Sequence, residues 1–202
     1  MRAFPSRPLA PKQEHQAWHL ALQRARRIPL GYVLGAHDFM GLDLRVTPSV
    51  LIPRPETEEL VQAVVELARR TGASHLLEIG TGSGCVSIAL AYLLPEAQIV
   101  ATDISPTALE LAERNARGHD LGRRIRFLKA DLFQPERRRA LGWADIAVSN
   151  PPYIPTRELA KLEPEVLKEP RLALDGGADG LAAIRAIVRE APADLKAGGW
   201  LA

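Results

Sequence analysis

Two stretches of this sequence carry residue types and spacings that could do chemistry. The first is Leu76-Leu77-Glu78-Ile79-Gly80-Thr81-Gly82-Ser83-Gly84, a short apolar run feeding three glycines at alternate positions. Glycine lets the backbone approach a ligand and take positive φ, and the N-terminus of a following helix offers unpaired N–H groups to ligand oxygens. A nucleotide-like ligand fits this pattern. Dinucleotide sites space their glycines as G-x-G-x-x-G, whereas Cys85 stands here where the third would fall. No Lys-Ser/Thr follows, so a phosphate-cradling P-loop is excluded. The alternative is a tight strand-to-helix turn that binds nothing.

Asp103 closes the next apolar run, where a carboxylate can accept both hydroxyls of a ribose. Its alternative is a cap before Ser105-Pro106. Asp131 ends a third run, in Lys129-Ala130-Asp131-Leu132-Phe133, and could accept from an adenine amino group with Leu132 against the ring. The second strong stretch is Ser149-Asn150-Pro151-Pro152-Tyr153. A proline pair donates no backbone hydrogen, so the loop presents carbonyl acceptors between an Asn side chain and an aromatic ring. Such a site suits a planar –NH2 group, whose two hydrogens can each be accepted. A proline turn with a packed tyrosine is the competing reading.

Other candidates point to structure. His15 and His19 share a helical face without a third ligand at metal-site spacing, no H-E-x-x-H or C-x-x-C occurs, and no metal is expected. Ser83 lacks the spacing of a nucleophile elbow.

These residues need strands and helices to hold them, and the composition allows one principal domain. There are 202 residues, with 26 Lys+Arg, 24 Asp+Glu and 47% hydrophobic residues. A chain of this size buries roughly 70% of its unfolded surface, enough for one core and an appendage. Cys85 is the one cysteine, so a disulfide framework is excluded and the cytoplasm is the expected compartment. From its three prolines and lack of an apolar run, the start is expected to be neither a signal peptide nor an anchor. A balance of +2 argues against a nucleic-acid partner, and the runs Arg24, Arg26, Arg27 and Arg137, Arg138, Arg139 are expected to be solvated.

Pro11 opens a helix ending before Pro29, whose Trp18, Ala21, Leu22 and Ala25 form an apolar stripe in search of a partner. Residues 37–46 alternate around Gly41 as a β-hairpin. Ser49 to Pro55 is a stiff extended loop, and a helix follows to about Arg70, burying Leu60, Val61, Val64, Val65 and Ala68. Strands are then expected at 75–79, 98–102, 125–129 and 145–149, with helices at 86–94, 106–117 and 181–190. This alternation predicts an α/β fold, a mainly parallel sheet with helices on both faces and ligands beyond the carboxyl ends of its strands.

Glu78, Gly80, Gly82, Gly84, Asp103, Asp131 and Asn150 to Tyr153, in this order at successive strand ends, resemble the class I (Rossmann-like) S-adenosylmethionine-dependent methyltransferases acting on planar amino or amide nitrogen. Within that class, residues 51–58 (Leu-Ile-Pro-Arg-Pro-Glu-Thr-Glu), Phe39-x-Gly41, Val148-Ser149 and the 169–181 stretch from Glu169-Pro170 to Gly180-Leu181 are similar to the PrmC/HemK family of glutamine N5-methyltransferases. The resemblance covers roughly residues 12–202. It implies that Gly80, Thr81, Gly82, Ser83, Gly84, Asp103, Asp131, Leu132 and Asn150 contact S-adenosylmethionine, which leaves as S-adenosylhomocysteine. It further implies that Asn150, Pro151, Pro152 and Tyr153 hold the glutamine of the Gly-Gly-Gln loop of class-1 peptide chain release factors. Asn150, Pro151 and Tyr153 are the expected catalytic residues.

The resemblance divides the chain into a remnant of a helical substrate-docking domain at 1–36, a linking hairpin at 37–48 and the methyltransferase domain at 49–202. Family members carry several N-terminal helices where about one is expected here. Gly198-Gly199-Trp200-Leu201-Ala202 reads as the start of a fifth strand, with the family's closing helix and last two strands lacking. Three alternatives stay open: a ribosomal protein glutamine as acceptor, a nucleic-acid amino group (adenine N6 or guanine N2), and a non-catalytic cofactor-binding protein.

Overall fold

The computed structural model describes residues 10–131 and 144–202. The Asp131 side of the expected adenine contact is therefore within it, whereas Leu132 and Arg137 to Arg139 lie outside the described residues. The chain opens with α1 (Pro11–Ala25), started by Pro11 at its first position, and a short α2 (Leu30–Leu34) stopped by Gly35 in the left-handed conformation. Strands β1 (Ala36–Phe39) and β2 (Leu42–Arg45) form the expected antiparallel hairpin. Its two-residue turn, Met40-Gly41, has φ of 53° and 78°, so glycine at the second place relieves a strain that Met40 bears alone. The Met40 N–H donates to Glu58 Oε1 at 2.9 Å, fastening the turn to the helix that follows.

That helix, α3 (Pro55–Thr71), buries Val61, Val64, Val65 and Ala68 and ends at Gly72, again left-handed. The alternating part then runs β3 (His75–Ile79), α4 (Cys85–Leu93), β4 (Gln98–Asp103), α5 (Pro106–Gly118), β5 (Ile125–Lys129), β6 (Ala144–Ser149), α6 (Ala182–Glu190) and β7 (Leu195–Leu201). Among the described residues these strands make one five-stranded sheet, ordered β5-β4-β3-β6-β7, and every pairing is parallel. Successive side chains of a strand face opposite sides. Leu76, Ile146 and Val148 accordingly enter the larger core with α3, α4 and the hairpin residues Phe39, Leu42 and Leu44, while Leu77, Ile79 and Ala147 meet Ile187 of α6 on the other face.

The apolar stripe of α1, expected to seek a partner, is left uncovered among the described residues, with Trp18 and Leu22 64% and 56% exposed. What fastens the helix is charge: Arg24 pairs with Glu165 at 3.2 Å, and Arg27 with Glu165 at 2.7 Å and Glu163 at 3.1 Å. The last strand begins at Leu195, not at Gly198. A register shift against β6 between Ala144 and Ile146, with Gly198 at φ 79°, absorbs the extra residues. Asp145, inside that shift, accepts from Lys196 Nζ at 2.6 Å and from the Ser74 and His75 N–H groups at 3.1 and 2.9 Å. Burial pushes its carboxyl up, but these three donors outweigh it and hold the pKa at about 2.

Candidate active site

Register assembles the site. Ile79 pairs with Thr102 on one side and with Ser149 on the other, so the next residues, Gly80, Asp103 and Asn150, stand side by side at the carboxyl edge of the sheet. The two predicted clusters, 70 residues apart in sequence (80 to 150), thus meet across one strand gap. Ser149 Oγ reinforces the junction, donating to the Ile79 carbonyl at 2.7 Å. Asp131 follows β5, with Ala130 N–H donating to the Asp103 carbonyl at 3.1 Å.

The glycines divide their work. Gly80 and Gly82 have φ of 80° and 55°, and a Cβ on either would meet nothing within 4 Å, so both leave open backbone over the cleft. Gly84 has φ of 84° and packs instead, a Cβ there standing 3.0 Å from Ala112 and Ile88. The neighbouring side chains turn inward. Thr81 Oγ1 donates to Glu78 Oε2 at 2.6 Å, and Ser83, 2% exposed, presents its carbonyl to Asn115 Nδ2 at 2.8 Å. The Thr81 hydroxyl is thereby turned away to Glu78, and the Ser83 carbonyl is taken by Asn115.

Not every N–H of the turn is free for a ligand. Gly82 N–H donates to Asp103 Oδ2 at 2.8 Å, and Ser87 N–H, in the first turn of α4, to Glu78 Oε2 at 3.1 Å. Asp103 Oδ1 accepts from Ser105 N–H at 2.9 Å, while Ser105 is the residue that caps α5. Asp103 therefore braces the glycine loop as well as facing the cleft. Glu78 is 3% exposed, and burial lifts its pKa to about 7, against the lowering by hydrogen bonds from Thr81 and Ser87. Burial pushes the Cys85 thiol up to about 12, with the Glu78 carboxylate adding to it, so this cysteine is no nucleophile at neutral pH.

The cleft has a volume of about 590 Å³, within the range of small-molecule sites. Gly80, Thr81, Gly82, Ser83, Asp103, Asp131, Asn150, Pro151 and Pro152 line it together with Pro53, Arg54 and Thr57. Gly84 does not, being used in packing. Tyr153 is set at the rim, 63% exposed, instead of walling the cleft. Among the described residues, no group of three His, Cys, Asp or Glu side chains could hold a metal ion. No helix among them is long and apolar enough to cross a membrane.

Sequence reasoning missed the residues that hold the proline loop in place. Thr57, 4% exposed on the first turn of α3, accepts from Asn150 Nδ2 at 3.0 Å. Glu169, 6% exposed, accepts from Arg54 Nη2 at 2.6 Å and from Ile52 N–H at 3.2 Å, tying the stretch before α3 to the stretch after the proline loop. Ile154 N–H donates to the Leu174 carbonyl, and Gly176 N–H to the Ile154 carbonyl, at 3.0 and 2.9 Å. Glu169 and the glycines of 176–180 were visible as parts of a resemblance; their partners, far away in sequence, were not.

The methyltransferase small domain family model matches residues 57–177, which spans these groups except Ile52, Pro53, Arg54, Gly180 and the N-terminal elements. A release factor glutamine methyltransferase of Geobacter sulfurreducens is 49% identical over 196 residues, 96% of this chain and 66% of that protein. One of Moorella thermoacetica is 46% identical over 194 residues, again 96% of this chain and 68% of the relative. The chain thus spans about two thirds of the length of these curated relatives. The fold recurs in the hMettl16 catalytic domain solved with the MAT2A 3′UTR hairpin 6, with a TM-score of 0.61 at 18% identity over 87% of this chain and 73% of that one. It recurs also in human methyltransferase 10 domain containing protein, with a TM-score of 0.53 at 18% identity over 89% and 72% of the two chains. Both are likenesses of fold. With the small-domain model covering more than half of its residues, and a named relative 46% identical and 68% covered, the chain belongs to the release factor glutamine methyltransferase family.

Proposed function

We propose that this chain transfers a methyl group from S-adenosylmethionine to the side-chain amide nitrogen, N5, of the glutamine in the Gly-Gly-Gln loop of a class-1 peptide chain release factor. The observation that carries this reading is the placing of Asn150 and Pro151 one strand away from an open glycine loop with an acidic side chain beside it. The cofactor fits the residues present. Gly80 and Gly82 leave room where a Cβ would stand, and Asp103 and Asp131 both line the cleft, which supports a reading in which Asp103 accepts from a ribose and Asp131 from an adenine amino group. Names carried by relatives of up to 49% identity supply the acceptor, which the cleft alone would leave as any planar –NH2 group.

When bound, the cofactor supplies an electrophilic methyl on a sulfonium and leaves as a neutral thioether. The chain's own residues must make an amide nitrogen act as nucleophile, although its lone pair is delocalised into the carbonyl. Asn150 Oδ1 and the Pro151 carbonyl accept the two amide hydrogens, which orients the nitrogen and favours the positive charge that grows on it. Holding both hydrogens also converts the encounter into a positioned one, where most of the rate gain arises. Neither carbonyl is basic enough to keep a proton, so the one that nitrogen loses after the new bond forms passes to water at the open side of the cleft. Tyr153, 63% exposed and next in sequence to Pro152 of the cleft lining, is the ring that this reading sets against the acceptor's amide plane to limit its rotation.

The test offers labelled cofactor and this chain three acceptors: a class-1 release factor, ribosomal protein and RNA. Label on the release factor alone supports the reading. Label confined to either other acceptor rejects it.

A further inference from the structure

We propose that Thr57 is a positioning residue for this reaction, holding the carboxamide of Asn150 so that its oxygen faces the acceptor nitrogen. The proposal rests on the methyl-transfer reading above and deepens it. An Asn side chain can rotate its amide plane and can present either oxygen or –NH2 to the cleft. Only the oxygen accepts a hydrogen; the –NH2 face would set donor against donor. A hydroxyl can accept from the –NH2 or donate to the oxygen; in the observed arrangement Asn150 Nδ2 donates to Thr57 Oγ1 at 3.0 Å, with the –NH2 toward α3 and Oδ1 left for the acceptor.

Thr57 is suited to this because little else can move it. It is 4% exposed, sits two residues past the helix-opening Pro55, and donates its own N–H to the Arg54 carbonyl at 3.0 Å. Arg54 is in turn paired with buried Glu169 at 2.6 Å. Asn150 is equally anchored on its backbone side, one residue beyond the Ser149 to Ile79 bond of 2.7 Å. Both ends of the Thr57–Asn150 contact are thus fixed by other bonds, and among the described residues the Asn150 carboxamide takes its side-chain hydrogen bond from this contact.

Thr57→Val keeps the shape and deletes the hydroxyl; Thr57→Ser keeps the hydroxyl. Loss of one neutral hydrogen bond corresponds to roughly a tenfold change. Single-turnover methylation of the release factor should therefore fall about tenfold in Thr57→Val, with cofactor affinity by calorimetry and melting temperature close to wild type, and Thr57→Ser should restore most of the rate. In an Asn150→Ala background, Thr57→Val should cost nothing further. The Asn150 side-chain –NH2 signals in a 15N spectrum, assigned by their loss in Asn150→Ala, should shift and lose exchange protection in Thr57→Val. If Thr57→Val does not fold, Thr57→Ala must show the same loss and the same spectral change. Unchanged rates in the hydroxyl-free variants, or losses that add in the Asn150→Ala background, overturn the proposal while leaving the methylation reading intact. Absence of transfer to glutamine by the wild-type chain overturns both.

Discussion

A Cβ atom on Gly176 would stand 2.8 Å from the Cα of Tyr153, too close for any side chain to occupy. Gly180, at φ 81°, is pressed even more tightly against the Tyr153 carbonyl oxygen, and its own carbonyl closes the other side of Gly176. Gly176 and Gly180 therefore admit the backbone of the proline loop, whereas Gly177 lies against Ala182. Adding a methyl group at Gly180 forces a shift of the loop and strains a left-handed residue, so Gly180→Ala should destabilise the fold by roughly 1–3 kcal/mol. Methyl transfer should fall further than stability accounts for, with cofactor affinity retained, because the displaced group is Tyr153 and not the glycine loop. Thermal melts, calorimetry and single-turnover rates on one preparation check all three.

Asp103 holds Gly82 N–H and Ser105 N–H with separate oxygens, at 2.8 and 2.9 Å, and also lines the cleft. Asp103→Ala removes the ribose acceptor and loosens the loop that carries the ligand. Charge-assisted bonds of this kind are worth about 1.5–3 kcal/mol, so cofactor affinity should drop roughly 10- to 100-fold. Asp103→Asn, which keeps one acceptor, should fall between. Equal calorimetric affinities for wild type and Asp103→Ala would remove Asp103 from the cofactor site.

Glu78 gives the ligand-free protein a pH dependence in the neutral range. Its folded pKa of about 7 lies above the ordinary value of 4.5, with burial as the main cause. A carboxyl raised in this way contributes stability that is fully present below pH 4.5 and lost as pH climbs through 7. The loss amounts to as much as about 3 kcal/mol. Thr81 and Ser87 both donate to the same oxygen, so a Gln carbonyl can receive them both without ionising. Denaturant titrations between pH 5 and 8 should show wild-type stability falling relative to Glu78→Gln; parallel curves would contradict the assignment.

Asn115 fastens the hairpin to the glycine loop. Its Oδ1 accepts from Arg45 N–H at 2.9 Å, and its Nδ2 donates to the Arg45 and Ser83 carbonyls at 3.0 and 2.8 Å, all at 3% exposure. Asn115→Leu strands these backbone groups away from water and should cost roughly 2–4 kcal/mol. Cofactor binding should weaken with it, since Ser83 belongs to the loop. A melting temperature within a degree or two of wild type would show that the loop does not depend on this bond.

Much of the frame was legible because strand and helix leave different periods in the sequence. Leu76 and Leu77 take opposite faces of a fully covered strand, and Val61, Val64, Val65 and Ala68 repeat at helical spacing. Gly80 and Asn150 could be placed at strand ends, but their adjacency depends on strand order, which no local pattern encodes. Short α2 escaped notice because five residues between Pro29 and Gly35 are too few to show a period. The start of β7 was misplaced because Gly198 looks like a boundary where it serves as a bulge. The spacing of Trp18 and Leu22 shows an apolar face but not what covers it, and the ion pairs of Arg24 and Arg27 that hold this part of the chain join residues too distant in sequence to leave a local pattern. Thr57 stood within the 51–58 motif of the resemblance, but its bond to Asn150, 93 residues away, left no local mark, since a threonine in a first helical turn has an ordinary local use.

In the proposed reaction an amide nitrogen of glutamine receives the methyl group at the Asn150-Pro151 acceptor pair. The most direct measurement is mass mapping of a class-1 release factor after incubation with this chain and S-adenosylmethionine, run beside Asn150→Ala. With wild-type chain, one added methyl should appear on the glutamine of the Gly-Gly-Gln loop and stop at one, because a methylated amide has a single hydrogen left for two acceptors. With Asn150→Ala the same product should form roughly 10²–10³-fold more slowly. A methyl on any other residue, or equal rates for the two chains, would contradict the account.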